Sequence, residues 1–303
     1  MMANLTKYQF SGHETFPLRQ LWLMKAVHHA QKGRPFIGED AMIELGVGKN
    51  MVASMVYWAH AANFLDSEKK STPLANQIFG MSDIHGFDPY GESITTAWLV
   101  HWNLATNLED CSAFWFLFNM VNKSSFTRNE LFQDMFEFAE NGSHKTSEST
   151  IKRAVEVCLR SYVPNLSCRN KEISEEFVEP LLGDLGLLEV NSKDSVNMFR
   201  SARSTLCNPL FAYALLDYWQ KHSPQTTTLN FNRIMHDIDS PGRIFKLDEN
   251  TIASRLESLE QLTSGELLWT EQGGIRTVLR KGSALSHPTK LMDQLLAKAF
   301  REE

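Results

Sequence analysis

The stretch GEDAMIELGVGKNMVASMVYWAHAANFL, at positions 38–65, decides how the first part of this chain folds. It opens with Glu39 and Asp40, whose negative charges stabilise the positive end of a helix, and Gly46 is typical of a helix C-cap. After a second glycine, apolar residues recur at the spacing of an amphipathic helix, at Val52, Met55, Val56 and Ala59. Two helices joined by a tight turn are therefore predicted, which is the pattern of a helix-turn-helix.

The opposite face of the second helix is predicted to point outward and to contact DNA. Polar and aromatic groups recur there, and a lysine occupies the positive helix end, so this face could bind both phosphates and base edges. The predicted DNA-contacting residues are Lys49, Asn50, Ser54, Tyr57 and Trp58. The same pattern fits an ordinary helical hairpin in an all-α core, with Trp58 as a lid over that core, and by itself it favours neither interpretation.

Composition and charge limit the classes of function. The chain has 303 residues, of which 43% are hydrophobic and 22% charged, so it is long enough for two or three globular domains and is not grossly disordered. Its formal net charge of -6 excludes a protein that coats nucleic acid through bulk positive charge, so any DNA contact must be local. The four cysteines lack the spacing of a zinc site, which indicates reduced thiols in a cytoplasmic protein. We expect no signal peptide and no membrane partner, because no apolar run is long enough to span a bilayer.

Three chemically active side chains lie close together near the N-terminus, in the segment HETFPLR. His13, Glu14 and Arg19 offer a base, a carboxylate and a cation that could stabilise a charged phosphate, and they are the candidate catalytic residues. The alternative, which we favour because a neighbouring His-Glu pair is common, is a charged clamp that pins the N-terminal arm. Pro17 predicts that a helix begins at about that position.

The Gly-rich connection that follows the helix-turn-helix carries four side chains that could hold a divalent cation, either Mg²⁺ or Mn²⁺. These residues are Asp83, His85, Asp88 and Glu92. Their spacing matches no established metal loop, so a solvated loop with helix caps is the favoured interpretation.

A basic helix is predicted in the middle of the chain. It begins after Ser147, which suits an N-cap, and its apolar residues recur at helical spacing. Lys152, Arg153 and Arg160 point away from that apolar face, in a region with more basic than acidic residues. The two interpretations are a surface that contacts phosphates and a solvated helix face.

The C-terminal third ends in the clearest hairpin of the sequence, ELLWTEQGGIRTVLRKG, with a Gly-Gly turn. Helices followed by a hairpin predict a winged helix, and the basic returning strand adds Arg276 and Arg280 to the DNA-contacting candidates. A second, shorter hairpin is predicted from residues 187–190 and the segment MFRSA at 198–202.

The predicted fold class is mainly α with small β wings, with helix-turn-helix and winged-helix modules in tandem. Three domains are predicted. They are an N-terminal helical domain at 1–122, a middle helical domain with the basic helix and a short hairpin at 123–222, and a winged-helix-like domain at 223–303.

Several long stretches resemble one bacterial family that is catalogued as a domain of unknown function. They are FSGHETFPLRQLWLMKAV, LGVGKNMVASMVYWAHAANFL, FDPYGES, TAWLVHWNLA, SESTIKRAVEVCLRSYV, LFAYALLDYW and SPGRIFKLDENTIASRLESL. The family includes SspB-like proteins, and its members occur in operons for DNA phosphorothioate modification and antiphage defence. The resemblance includes the His13, Glu14 and Arg19 cluster, and it includes Asp88 of the loop.

The resemblance implies double-stranded DNA as a partner, together with a cysteine desulfurase and ATP-using sulfur-transfer proteins of the same operon. These enzymes replace a non-bridging phosphate oxygen with sulfur, and the SspB-type member is credited with nicking DNA. The first hypothesis is therefore a DNA-binding nickase. The second is a non-catalytic DNA-binding adaptor that recruits the sulfur-transfer enzymes, and the third is a transcription regulator.

Overall fold

The chain forms two compact units, Met1–Met198 and Phe199–Glu303. The computed structural model describes residues 7–80, 85–142, 145–163, 180–191 and 195–302. The helix Asn208–His222, which the three-domain prediction assigns to the middle domain, belongs to the second unit. The division into three domains stays a prediction.

Helices make up most of the first unit. They are α1 (Trp22–Gln31), α2 (Gly38–Leu45), α3 (Lys49–Ala61), α4 (Pro73–Phe79), α5 (Ile94–Ala105), α6 (Ser112–Asn119), α7 (Arg128–Glu140) and α8 (Glu148–Tyr162). Nearly every residue of α5 and α6 is buried, because both helices are apolar on all sides. These two helices therefore lie in the core, as their sequence predicts.

Both helices of the predicted helix-turn-helix are present. The first, α2, ends at Gly46, whose backbone has φ 69° and donates to the Met42 carbonyl. Such a left-handed C-cap is easiest for glycine, which has no Cβ. Gly48 then precedes α3 in extended conformation. The local prediction of helix, turn and helix is confirmed.

The helix predicted from Pro17 begins later, at Trp22. Residues 9–19 form an irregular segment with a turn at 13–16, which we call the N-terminal arm. It is anchored at Gln9, whose N–H donates to Ser112 Oγ and whose carbonyl accepts from the Ser112 N–H. Phe10 and Leu18 of the arm are buried, so the arm is part of the core rather than the first turn of a helix.

A small antiparallel sheet completes the first unit. Its strands are β1 (Ser125–Thr127), β2 (Glu189–Val190) and β3 (Ser195–Asn197), in the order β1-β3-β2. The predicted strand at 187–190 is confirmed at its end, but the prediction that the segment 198–202 is its partner is wrong. Val196 pairs with both Phe126 and Val190, whereas Phe199 and Arg200 are exposed.

The second unit has seven helices and three strands among its described residues. The helices are α9 (Asn208–His222), α10 (Phe231–His236), α11 (Pro241–Ile244), α12 (Glu249–Glu257), α13 (Leu259–Leu262), α14 (Gly282–Ser286) and α15 (Pro288–Ala299), and the strands are β4 (Thr228–Asn230), β5 (Leu267–Gln272) and β6 (Ile275–Arg280). The predicted Gly-Gly hairpin is confirmed, because Gly273 and Gly274 have φ 59° and 77° and join β5 to β6. The strand order is β4-β6-β5, so in both sheets the first strand pairs with the third.

The fold is thus mainly α-helical with two small antiparallel sheets, as predicted. No helix in the described ranges has the length and apolar character needed to cross a membrane.

Candidate nucleic-acid interface

The N-terminal arm covers the face of α3 that the sequence pattern assigns to DNA. Ser54 Oγ donates to the His13 carbonyl at 2.9 Å, and Trp58 Nε1 donates to the Phe16 carbonyl at 3.1 Å. Both side chains are fully buried. The prediction that Ser54 and Trp58 point outward is therefore wrong, because the arm needs donors for its backbone carbonyls and takes them from this face.

Tyr57 also contacts the arm. Its hydroxyl donates to the Asp110 carbonyl at 2.9 Å, and its ring packs so closely on Gly12 that a Cβ there would lie 2.5 Å from Tyr57 Cδ2. Lys49 and Asn50, at the start of α3, remain exposed. Of the five residues predicted on this face, these two alone are exposed, so they could contact a ligand without movement of the arm.

His13 belongs to the N-terminal arm, and its side chain is buried, with 6% of its surface exposed. Its Nδ1 accepts from the Thr15 N–H at 3.2 Å, and its Nε2 is buried with no hydrogen-bond partner in the described structure. Burial lowers the pKa of His13 from 6.5 to about 4, against a smaller opposing effect of the Phe10 backbone. The ring is therefore neutral at pH 7, and it stacks on Trp58 rather than facing solvent.

The turn after His13 is strained. Glu14 and Thr15 have φ of 48° and 68°, although neither is glycine, and the Phe16 N–H closes the turn on the His13 carbonyl. The Glu14 side chain is exposed while His13 is buried. The predicted pair of base and carboxylate is thus divided between the core and the surface.

Arg19 lies in a cleft of about 740 Å³ with residues that are distant in the sequence. The cleft is also lined by Lys25 of α1, by the turn at Gly48 and by Glu92 of the predicted metal loop. Lys25 Nζ donates to the Leu45 carbonyl at 3.3 Å, which fixes it beside the end of α2. The cleft therefore combines one carboxylate, two cations and the positive N-terminus of α3.

Lys25 lines this cleft but is not among the site residues predicted from the sequence. It occurs at helical spacing with Leu18, Leu21 and Trp22, so a charged residue interrupts an apolar series. That interruption is the signal that could have identified it.

The predicted metal loop has a structural role at Asp88, which is buried. Its carboxylate accepts from the Glu92 and Ser93 N–H groups at 3.0 and 3.1 Å and from Thr96 Oγ1 at 2.6 Å. These bonds fix the start of α5. Asp88 therefore has the loop and helix-cap role that the sequence pattern favoured over a metal ligand. His85 is exposed, and Asp83 lies outside the described residues. Within the described residues, no three His, Cys, Asp or Glu side chains are grouped to hold a metal ion.

The basic face of α8 is exposed as predicted. Arg153 and Arg160 have no ion-pair partner within the described part of the chain, while Lys152 pairs with Glu148 one turn earlier. Glu156 on the same helix pairs with Arg128 of α7 at 3.0 Å. The two arginines are therefore available to an external anion.

The arginines of β6, the second strand of the hairpin, form hydrogen bonds within the second unit. Arg280 is buried, with 2% of its surface exposed, and its guanidinium donates to the Ser223, Pro224 and Thr226 carbonyls. The prediction that Arg280 faces DNA is wrong, because it ties the strand to the segment before β4. Arg276 donates to Glu249 at 2.7 Å.

The thiols of the core are unreactive. Cys111 and Cys158 are free and buried. Burial raises the pKa of Cys111 to about 12 and raises that of Cys158 well above its usual range. Burial therefore disfavours the thiolate, which is the reactive form of a cysteine, at both positions.

Comparisons with known proteins agree with the resemblance found in the sequence. A profile of the family described as protein of unknown function (DUF4007) matches residues 10–296. Two crystal structures of SspB, one of them with magnesium bound, each give a TM-score of 0.84 at 26% sequence identity over 99% of this chain. The matches cover 90% of the magnesium-bound SspB chain and 91% of the other. A search of curated proteins found no match. Because the family profile matches most of the sequence, this chain belongs to the DUF4007 family.

Proposed function

We propose that this protein is a DNA-binding component of a bacterial DNA phosphorothioate modification and defence system. Its structural similarity to SspB supports the system, and the exposed arginines on α8 support the DNA contact. Its partners are double-stranded DNA, a cysteine desulfurase and the ATP-using sulfur-transfer proteins of the same operon. The protein itself supplies DNA binding rather than sulfur chemistry, in keeping with the burial of Cys111 and Cys158.

The order of elements around α8 supports this assignment. Among the described elements of the first unit, α6, β1, α7, α8, β2 and β3 occur in this order, with a 3-10 helix at Gly183–Leu185 before β2, and β1 pairs with β3. This is the order of a winged helix, in which the third helix enters the major groove. We assign that place to α8. Arg153 and Arg160 would then contact phosphates at the groove edge.

The second unit repeats the order, with α9, β4, α10 and α11, α12 and α13, β5 and β6. We assign it as a second winged helix in tandem with the first. Its equivalent third helix begins at α12, which exposes Glu249 and Glu257 rather than arginines. The charge therefore favours α8 as the main DNA-contacting helix.

The experiment is DNA binding by the Arg153→Ala, Arg160→Ala double variant, measured by fluorescence anisotropy on a duplex over a range of salt concentrations. Each lost phosphate contact lowers the slope of log affinity against log salt by about 0.9, so we expect a decrease of about 1.8. The control is Lys70→Ala, Lys221→Ala, which removes the same charge from two lysines already paired with Glu68 and Asp217. Equal affinity and slope in both double variants would refute the assignment of α8.

Lys49 and Asn50 form a second, smaller contact in this proposal. Lys49→Ala should weaken binding to all sequences, whereas Asn50→Ala should cost about 1–3 kcal/mol on the preferred sequence. Identical binding by both variants and the wild-type protein, at one salt concentration, would exclude α3 from the interface.

DNA nicking is a second candidate function, and the Arg19 and Glu92 cleft is the observation that favours it. A phosphodiester cut needs a group that orients or deprotonates water and a cation that stabilises the charge developing on phosphate. Glu92 could take the first role, and Arg19 with Lys25 the second. His13, being buried, would support the arm that carries Arg19 rather than contact the phosphate.

The cleft does not fit a magnesium site built by the protein. Mg²⁺ binds through carboxylates, waters and substrate phosphates, and two cations beside one carboxylate oppose it. We therefore assign no catalytic step to a metal ion.

Purified protein incubated with supercoiled plasmid, with magnesium or with excess chelator, tests this second function. A nickase should lose activity in Glu92→Gln and Arg19→Gln while its DNA affinity stays unchanged. Failure of the wild-type protein to nick with magnesium present would reject the nickase and leave the adaptor.

A further inference from the structure

An apolar groove lies between α2 and α3 of the first unit, apart from both the α8 surface and the Arg19 cleft. Its volume is about 530 Å³, which is within the range of binding pockets in proteins. The apolar side chains that line it are those of Phe36, Met42, Val52, Ala53 and Val56. The packing of α2 on α3 therefore leaves apolar surface open between the two helices.

Two isoleucines are exposed beside this groove. Ile37, which lines it, has 71% of its surface exposed, and Ile43 of α2 has 78%. Ile43 lies one helical turn after Glu39, which also lines the groove, so the two side chains are neighbours on the same face of α2. The surface therefore offers both an apolar groove and protruding apolar side chains of the kind that would fill one.

Charges of both signs border the groove. Glu39, Lys49 and Lys69 line it, and all three residues are exposed. None of them forms an ion pair within the described ranges, whereas Glu44, on the same helix as Glu39, pairs with two cations. The rim of the groove thus carries one anion and two cations that can pair with charges of another molecule.

A tight turn fixes the position of Lys69. Lys69 has φ 62°, and its N–H donates to the Asp66 carbonyl at 3.0 Å. Asp66 Oδ1 accepts from the N–H groups of Glu68 and Lys70 at 2.8 and 2.9 Å. The side chains of Glu68 and Lys70 pair with each other at 2.6 Å. Of the two lysines in this turn, Lys69 is therefore the one without an ion pair among the described residues.

The mixture of charges selects the kind of partner. A uniformly acidic segment would be repelled by Glu39 and the neighbouring Asp40, and a uniformly basic segment would be repelled by the two lysines. A second copy of the same surface presents both signs. In a two-fold arrangement, residue i of one copy contacts residue j of the other while j contacts i, so one self-complementary surface satisfies both kinds of charge.

We propose that this groove is an interface between two copies of the chain related by a two-fold axis. Ile37 and Ile43 of each copy pack against the groove of the other, and Glu39 of each copy pairs with Lys69 of the other. One groove and two isoleucines form a smaller surface than that of an obligate dimer, so association depends on protein concentration. Lys49 borders the same groove, so a second copy and DNA would compete for this residue.

The experiment measures the average mass of the full-length protein by analytical ultracentrifugation, without DNA, at concentrations up to hundreds of micromolar. We expect the mass to rise from one chain towards two. Ile43→Gln removes an apolar contact twice in each dimer and should weaken association by about tenfold or more. A wild-type protein that stays a monomer throughout this range, or whose mass continues to rise beyond two chains, would overturn the proposal.

An exchange of charges tests the pairing of Glu39 with Lys69. Glu39→Lys and Lys69→Glu each place like charges at both contacts of the dimer, so each variant alone should associate about tenfold or more weakly than the wild type. An equal mixture of the two variants should associate with nearly wild-type affinity, because each contact again joins opposite charges. Recovery in the mixture would also show that both variants fold. A mixture as weak as the single variants would overturn the pairing.

The matched controls are Glu257→Lys and Lys290→Glu, which make the same charge changes at exposed positions of the second unit. Both should associate as the wild type does, alone and mixed. An equal loss of association in the controls would mean that net charge governs association, and it would overturn the assignment of the groove. Because every measurement is made without DNA, the outcome is independent of the function proposed for α8.

Discussion

At the scale of single residues, the polar side chains of α3 serve the fold more than a ligand. Ser54 and Trp58 donate hydrogen bonds to two backbone carbonyls of the N-terminal arm, and the side chain of His13, which belongs to the arm, is buried. A buried neutral histidine is stabilising only while it remains neutral. The pH dependence of unfolding therefore reports whether His13 is buried, with the arm packed on α3.

The first prediction concerns the dependence of stability on pH. The pKa of His13 is lowered from 6.5 to about 4, so its contribution is complete above pH 6.5 and is lost as the pH falls towards 4. Between neutral pH and about pH 5 the wild-type protein should lose about 2 kcal/mol of unfolding free energy through this residue. Urea unfolding of His13→Asn, which keeps an acceptor for the Thr15 N–H, should show a dependence that is weaker by that amount. The same pH dependence in both proteins would contradict a buried neutral His13.

At the scale of elements, a helix can follow the sequence pattern of a recognition helix and still be covered. The arm lies on α3 because Gly12 allows the chain to approach the Tyr57 ring and because Phe10 and Leu18 are buried on either side. By contrast, Arg153 and Arg160 of α8 are exposed among the described residues. Of the two helices, α8 is therefore the one that we propose as the main DNA contact.

A second prediction tests the contact between the arm and α3. Gly12→Ala should destabilise the protein by about 2–4 kcal/mol, because alanine rarely adopts φ +111° and its Cβ would overlap the Tyr57 ring. The control Gly33→Ala also has positive φ but meets open space, so it should cost about 1 kcal/mol. Thermal unfolding of both variants measures the difference, and equal losses would show that the ring contact contributes nothing.

A third prediction separates the two arginines of the hairpin. Arg280→Met removes the donor to three carbonyls and should cost about 2–4 kcal/mol of stability. Arg276→Met removes an ion pair with Glu249 and a cation–π contact with Phe231, and it should cost less, about 1 kcal/mol. Chemical denaturation measures both losses. A stable Arg280→Met protein with lowered DNA affinity would restore the original assignment of this residue to the DNA interface.

At the scale of the whole molecule, a chain of net charge -6 can contact DNA only through local basic surfaces. The proposed interface offers three cations, which are Arg153 and Arg160 on α8 and Lys49 at the start of α3. The fourth prediction follows from this count. The slope of log affinity against log salt for the wild-type protein should be about -3, since each phosphate contact contributes about -0.9. A slope several times steeper, measured on one duplex, would mean that the DNA interface extends well beyond α8.

Turns and helix caps that depend only on neighbouring residues could be predicted from the sequence alone. The glycine at 46 and the Gly-Gly pair at 273 end a helix and form a hairpin turn because their φ values suit glycine, whatever packs around them. The capping box at the start of α7 is local in the same way, because Thr127 and Glu130 lie three positions apart.

The features that join distant parts of the chain are visible only in the three-dimensional structure. Strand β1 pairs with β3, about seventy positions away, and the arm buries Ser54 and Trp58, although helical periodicity places them on the outer face. The cleft of Arg19 and Glu92 also depends on segments brought together by packing. Periodicity shows that a helix has two faces. Whether another segment covers the polar face depends on contacts between residues far apart in the sequence, which no local pattern encodes.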